Sequence, residues 1–169
     1  MDCSQFQFCV DKSKIDLEQL QELFNLSAFW AQERKKEDLE IAIRYSDPVV
    51  SLWNKERMLG FARATSDGIY RATIWDVVIH PEYRGARLGR KLVETVLSHP
   101  KVNRVERVYL MTTNQQSFYE RIGFLPNQTT TMILYNSSPS REVLIPQTWQ
   151  EKRNTLIGTI SEDKTVNSC

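Results

Sequence analysis

Tyr70-Arg71-Ala72-Thr73-Ile74-Trp75-Asp76-Val77-Val78-Ile79-His80-Pro81-Glu82-Tyr83-Arg84-Gly85-Ala86-Arg87-Leu88-Gly89 is the stretch on which the fold turns. Ile74 to Ile79 is almost continuously apolar, the pattern of a strand buried on both faces. His80-Pro81 ends it. A turn with two glycines follows, and then Leu92, Val93, Val96 and Leu97 recur at helical spacing until Pro100. Val105 to Met111 reads as a second strand. Strand, helix, strand in that order is a parallel βαβ unit.

Working toward the N-terminus, Met58 to Ala64 and Val49 to Trp53 read as a hairpin across Asn54-Lys55-Glu56-Arg57. Asp16 to Ala31 reads as a helix capped by Asp16, with Leu17, Leu20, Phe24, Leu26 and Phe29 as its apolar face. A shorter helix with Leu39, Ile41 and Ile43 must stop before Pro48. Phe6 to Val10 is a short first strand. Trp30 and Trp53 are expected in the core. Toward the C-terminus, Gln115 to Ile122 is a short helix closed by Gly123, and Phe124 to Tyr135 supplies a last strand or two. Beyond Tyr135 the periodicity fades. We expect a folded domain over residues 1–136 and a partly disordered extension over 137–169.

The 169 residues suit one domain, with 41% hydrophobic and 25% charged residues. A net charge of +1 argues against a protein devoted to nucleic acid. No apolar run is long enough to span a bilayer, so no membrane role is expected. The N-terminus has no signal-peptide pattern, and Cys3, Cys9 and Cys169 lack metal-ligand spacing. A reducing, cytoplasmic setting and no metal are the expectations.

Charge is uneven along the chain. Asp16 to Asp47 holds eight acidic and four basic residues, and His80 to Arg107 holds seven basic and three acidic ones. The basic segment begins where a strand gives way to a helix. A helix N-terminus carries unpaired N–H groups and a partial positive charge, which attract phosphate. The pattern is therefore either a pyrophosphate cradle or a solvated basic helix face behind a glycine turn. A P-loop, G-x-x-x-x-G-K-[ST], is absent, and so is a dinucleotide G-x-G-x-x-G fingerprint.

Asp76 to Gly89 resembles the acetyl-CoA signature R/Q-x-x-G-x-G/A of the GNAT superfamily of N-acetyltransferases. Phe118-Tyr119-Glu120-Arg121-Ile122-Gly123-Phe124 resembles that family's F-Y-x-x-x-G-F segment. The resemblance covers roughly Val49 to Tyr135. Within the superfamily, Ala62 to Asp67 and Thr73 to Val77 are similar to the cyanobacterial and plastid branch that includes plant serotonin N-acetyltransferase-like proteins. Two positions depart from the pattern: Arg87 stands at the middle glycine, and Thr112 at a position often held by Asn, with Asn114 nearby but out of register. Arg87 is expected to be tolerated if its backbone angles are helical.

The resemblance implies an α/β (α+β) GNAT fold. Its sheet would be mixed, mostly antiparallel and six- to seven-stranded, with a central splayed parallel pair and about four helices. It implies acetyl-CoA as co-substrate and an amine acceptor: a protein lysine or N-terminus, a polyamine or an arylalkylamine. Val77, Val78 and Ile79 would pair through their backbone with the pantetheine arm. The segment Arg84, Gly85, Ala86, Arg87, Leu88, Gly89 and Arg90 would hold the phosphates on its N–H groups, while Thr112 and Asn114 stand where a side-chain contact to the arm belongs. Tyr119 would be the general acid. Asp76, a carboxylate inside an apolar strand, is either a base or the owner of a structural hydrogen bond. Trp75 either lines the acceptor pocket or packs in the strand. The last strands of this fold often pair between subunits, so a homodimer is an expectation.

Two other classes compete with the enzyme. A non-catalytic acyl-CoA sensor would use the same fold without chemistry. An interaction module would place acidic partners or RNA on the basic corner, but the sequence shows no stacking-aromatic platform for it.

Overall fold

Alternation of buried side chains along the central strands decides how the layers stack. The computed structural model describes residues 5–129, 131 and 132. Five strands follow in order: β1 (Phe6–Cys9), β2 (Val49–Asn54), β3 (Arg57–Ser66), β4 (Arg71–Ile79) and β5 (Arg107–Tyr109). Sheet order equals chain order; β1 to β4 are antiparallel neighbours, and β4 and β5 are parallel. Four helices cover the faces: α1 (Leu17–Ser27), α2 (Lys36–Arg44), α3 (Leu88–Ser98) and α4 (Gln116–Glu120). On β3, Phe61 points into a cluster with Leu20, Leu23 and Phe24 of α1 and Leu39 and Ile43 of α2. Its neighbour Ala62 points the other way, into a cluster with Leu92, Val93 and Val96 of α3. The fold is thus the mixed α/β arrangement expected, with α3 as the crossover between parallel β4 and β5.

Several expectations need correction. Helix α1 stops at Ser27, not Ala31. Its first turn is capped as anticipated, with the Asp16 carboxylate accepting from the Gln19 N–H at 3.0 Å. At its end Ala28 leaves helical angles, and the Ala31 N–H closes a tight turn on the Ala28 carbonyl. Ala28 and Ala31 are buried, while Leu26, Phe29 and Trp30 are exposed. Apolar recurrence had read Leu26 and Phe29 as core and Trp30 likewise; the small alanines fill that space instead. Strand β5 is only three residues long, shorter than Val105 to Met111.

The chain divides into two units, Met1–Pro126 and Asn127–Cys169. Residues 124–129 form no strand. The rest of the last strands, the homodimer expected through them and the extension at 137–169 lie outside the described residues. Among the described residues the sheet therefore has five strands, against six to seven expected.

Candidate active site

A β-bulge builds the site. Phe61 pairs with Val78 and Arg63 with Trp75, so Asp76 and Val77 together face the single residue Ala62. Asp76 takes φ +55°, the left-handed first position of such a bulge. The bend re-aims the end of β4. On its other side β4 pairs with β5 only through Arg71, Ala72 and Thr73. From Ile74 to Ile79 that edge has no strand partner among the described residues, which is the splayed parallel pair expected.

After β4, Pro81–Tyr83 make one 3-10 turn, and the Arg84 N–H donates to the Pro81 carbonyl at 3.3 Å. The Arg84 amide is therefore spent inside the turn. The Arg84 guanidinium reaches the Ile79 carbonyl at 3.3 Å and the Ser27 carbonyl at 3.2 Å, tying the end of β4 to the end of α1. Gly85 has φ +83° and Arg87 has φ +61°, ψ +4°. The condition for tolerating Arg87, helical angles, is not met: this residue is the left-handed N-cap of α3, which explains why glycine is usual there. The first intrahelical bond runs from the Lys91 N–H to the Arg87 carbonyl. The Leu88, Gly89 and Arg90 N–H groups precede it, with no side-chain cap and no acidic residue in the first turn.

These parts share one cleft of about 1190 Å³. Val77, Val78 and Ile79, the whole run from Arg84 to Arg90, and Tyr119 all line it. Tyr119 packs edge-on against Phe118 and Phe124. Burial pushes its phenol from 10.0 up to about 12, so it stays a protonated donor at neutral pH. Gly89 is placed for contact: a Cβ there would sit 3.5 Å from Ile79 and from Phe118, ordinary packing that the Gly/Ala choice of the signature allows.

Thr112 and Asn114 are not part of the cleft lining. Thr112 Oγ1 instead accepts from the Gln115 N–H at 3.2 Å, just before α4. Trp75 is also absent from the lining; its indole N–H donates to Thr65 Oγ1 at 2.9 Å, a cross-strand packing role. One feature escaped the sequence. Ser27 lines the cleft, and its hydroxyl is buried with no hydrogen-bond partner among the described residues. Phe29 and Trp30 line the cleft as an edge-to-face pair at 5.2 Å, freed by the early end of α1.

Asp76 does not line the cleft. Its carboxylate is 6% exposed and sits between two guanidinium groups, Arg63 at 2.6 Å and Arg34 at 2.8 Å. Of the two readings open for it, the structure supplies the structural partner. No group of three His, Cys, Asp or Glu side chains among the described residues is arranged to hold a metal ion.

The model of the acetyltransferase (GNAT) family matches residues 17–124. An uncharacterized N-acetyltransferase, ycf52, of Porphyra purpurea is 35% identical over 116 residues, covering 66% of each chain. The chloroplastic GCN5-related N-acetyltransferase 1 of Arabidopsis thaliana is 30% identical over 116 residues, 66% of this chain and 57% of that one. The chain thus spans less than two thirds of the length of the curated relatives it matches. Among solved structures, a putative GNAT-family acetyltransferase from Xanthomonas campestris pv. campestris superposes with a TM-score of 0.67 at 27% identity. That match covers 76% of this chain and 93% of that one. The expected cytoplasmic setting does not stand, because the Arabidopsis relative is chloroplastic.

Proposed function

Since the chain belongs to the acetyltransferase (GNAT) family, we propose that it transfers the acetyl group of acetyl-CoA to a primary amine by direct attack. One observation carries this reading. The edge of β4 beyond Thr73, which has no strand partner among the described residues, the uncapped amino end of α3 and Tyr119 line the same cleft.

The residues present fit acetyl-CoA. Val77 to Ile79 offer backbone groups to an amide-bearing arm, as an added strand would use them. The amides from Gly85 to Arg90 and the side chains of Arg87, Arg90 and Lys91 suit a pyrophosphate. When bound, acetyl-CoA supplies an acetyl group activated as a thioester. Beside the bulge, a β4 N–H polarises the carbonyl that the amine attacks. Tyr119 donates a hydrogen bond to the departing sulfur. A phenol at about 12 is a weak acid, but the same dry pocket makes a thiolate more basic, so the donor strengthens as charge develops. With Asp76 held by two arginines, the amine proton leaves through water in the open cleft. The acceptor class we propose is a lysine or N-terminal amine, a polyamine or an arylalkylamine. The acidic stretch from Asp16 to Asp47 supports a cationic one. The compartment we propose is the plastid, on the strength of the chloroplastic relative; organelle fractionation tests it.

Calorimetric titration with acetyl-CoA, CoA and dephospho-CoA, with thiol release on a panel of amines, tests the reading. Binding with thiol release on one amine class supports it. Binding without release on any amine favours an acyl-CoA sensor. No binding removes the Gly85 to Arg90 cradle.

A further inference from the structure

A carboxylate in the left-handed corner of a strand is held there by something. At Asp76 the holders are an arginine from the connection entering α2 and an arginine on β3. Arg34 lies in the α1–α2 connection, and its Nη1 meets Asp76 Oδ1 at 2.8 Å. Arg63, on β3, meets Oδ2 at 2.6 Å through Nε. Its Nη1 also donates to Ser46 Oγ at 3.0 Å, and Ser46 Oγ donates to the Ala42 carbonyl at 2.6 Å. One carboxylate therefore anchors the segment entering α2 directly and the segment leaving it through Arg63.

The entering segment matters for the cleft. Residues 28–35 carry Phe29 and Trp30, which line the cleft while remaining 63% and 52% exposed. Ala28 and Ala31 of this segment are buried in the core, and its side-chain polar contacts are few. The Arg34 carbonyl accepts from Gln21 Nε2 at 2.9 Å, the Arg34 guanidinium stacks over Phe24 at 5.5 Å, and Gln32 Nε2 donates to the Asn25 carbonyl at 3.2 Å. Arg34 is 34% exposed where Arg63 is 16%, so the Arg34 arm is the one that water can compete for. The Asp76 end is fixed by the bulge that also sets the course of Val77 and Val78. The corner that aims the cofactor-binding edge of β4 is thus the same corner that tethers the aromatic wall of the cleft.

We propose that Asp76 and Arg34 form a latch that positions the Phe29–Trp30 segment and so sets affinity for the amine acceptor, with Asp76 a positioning residue and not the base. The proposal rests on the acetyl-transfer reading for its kinetic consequence and on the ion pair alone for its structural one.

Arg34→Gln is the informative variant, because it leaves the deeper Asp76–Arg63 pair intact and the fold with it. Hydrogen exchange of amides 28–35 should quicken at least about threefold. With an acetylated-terminus lysine peptide, spermidine and 2-phenylethylamine as acceptors, KM for the best amine should rise about tenfold. Turnover, KM for acetyl-CoA and the pH profile of turnover should stay within about twofold of the parent. Arg34→Lys should recover part of the KM, and Asp76→Asn combined with Arg34→Gln should cost less than the two effects multiplied. Unchanged exchange and unchanged amine KM in Arg34→Gln overturn the latch. So does an Asp76→Asn variant that folds, loses turnover and changes its pH profile while Arg34→Gln is silent, because Asp76 then acts at the reacting atoms. If the parent protein acetylates no amine, the acetyl-transfer reading fails by itself, and the exchange of residues 28–35 decides the latch.

Discussion

Replacing Arg87 with glycine should stabilise the protein, although it deletes a charged side chain at the edge of the cleft. The reason lies in the backbone. At φ +61°, ψ +4° an L-residue brings its Cβ against the following carbonyl, at a cost of about 1–2 kcal/mol. Glycine has no such clash, but it loses more freedom on folding, by roughly 0.5–1 kcal/mol relative to alanine. Subtracting one range from the other leaves about 0–1.5 kcal/mol in favour of glycine over alanine at this position, centred on ~0.75 kcal/mol. For a chain of this size the centre of that range is a rise of roughly 1.5–3 °C in Tm. Alanine is the proper comparison, since Arg87→Ala removes the same guanidinium and keeps the left-handed Cβ. Thermal unfolding of the ligand-free protein, followed by circular dichroism at fixed salt, should rank Arg87→Gly above Arg87→Ala. Equal midpoints, or alanine above glycine, would refute the argument that strain at the N-cap of α3 explains the usual glycine. Acetyl-CoA affinity should fall by a similar few-fold in both variants, because both lose the charge and neither loses the amide.

Tyr119→Phe should lower turnover by roughly 10²-fold or less, with acetyl-CoA binding unchanged in calorimetry; equal turnover across the pH range would remove Tyr119 from the mechanism. The same variant has a stability signature. The Tyr119 phenol titrates near 12 when folded and near 10.0 when unfolded, so the unfolded chain loses its proton first. Stability from keeping it neutral is complete below pH 10 and drains away between 10 and 12. Tyr119→Phe should flatten that alkaline decline in denaturant titrations. Gly60→Ala would place a Cβ 2.7 Å from Ile79 Cδ1 and 3.2 Å from both Leu52 Cβ and the Val78 carbonyl. It should cost about 1–3 kcal/mol and weaken acetyl-CoA binding by displacing the end of β4, whereas Gly89→Ala meets only contacts of 3.5 Å or more and should fold normally. Raising NaCl from 50 to 500 mM should reduce acetyl-CoA affinity several-fold, because the screening length falls from roughly 14 Å to roughly 4 Å around the exposed basic side chains. A flat salt response would place the phosphates away from Arg87, Arg90 and Lys91.

What could be read from the sequence was whatever depends on local pattern. The run from Ile74 to Ile79 announced a strand buried on both faces, and His80-Pro81 followed by Gly85 announced its end. Leu92, Val93 and Val96 announced the crossover helix. Such signals need only neighbours a few residues away, whereas the grouping of Val77 to Ile79, the Arg84 to Arg90 turn and Tyr119 into one site comes from the family resemblance. The failures are of two kinds, a choice between packing partners distant in sequence and a backbone dihedral that composition does not show. Leu26 and Phe29 have the spacing of a core face, yet the small Ala28 and Ala31 are buried there, because a tight turn beside α1 leaves room for a methyl and not for a ring. Arg87 had the composition of a tolerable substitution, and only its dihedral angles show the strain.

Asp76 combines both difficulties. A single polar residue in an apolar strand signalled that a partner or a function must exist, since a lone buried carboxylate is costly. The sequence offers 22 lysines and arginines as candidates. Selecting Arg34 and Arg63 requires the bulge, because an unbulged strand would alternate faces and turn residue 76 opposite to its neighbours Trp75 and Val77. The extra residue opposite Ala62 breaks that alternation, and the carboxylate meets Arg34 and Arg63. The β4 edge that faces β5 is free for a separate reason: its pairing there stops at Thr73, whereas pairing with β3 resumes at Val78. The left-handed corner therefore tethers the Phe29–Trp30 segment through Arg34 and sets the course of Val77 and Val78. Deletion of Asp76, which straightens the strand, should abolish the tether and redirect Val77 and Val78 together, whereas Arg34→Gln should touch only the tether.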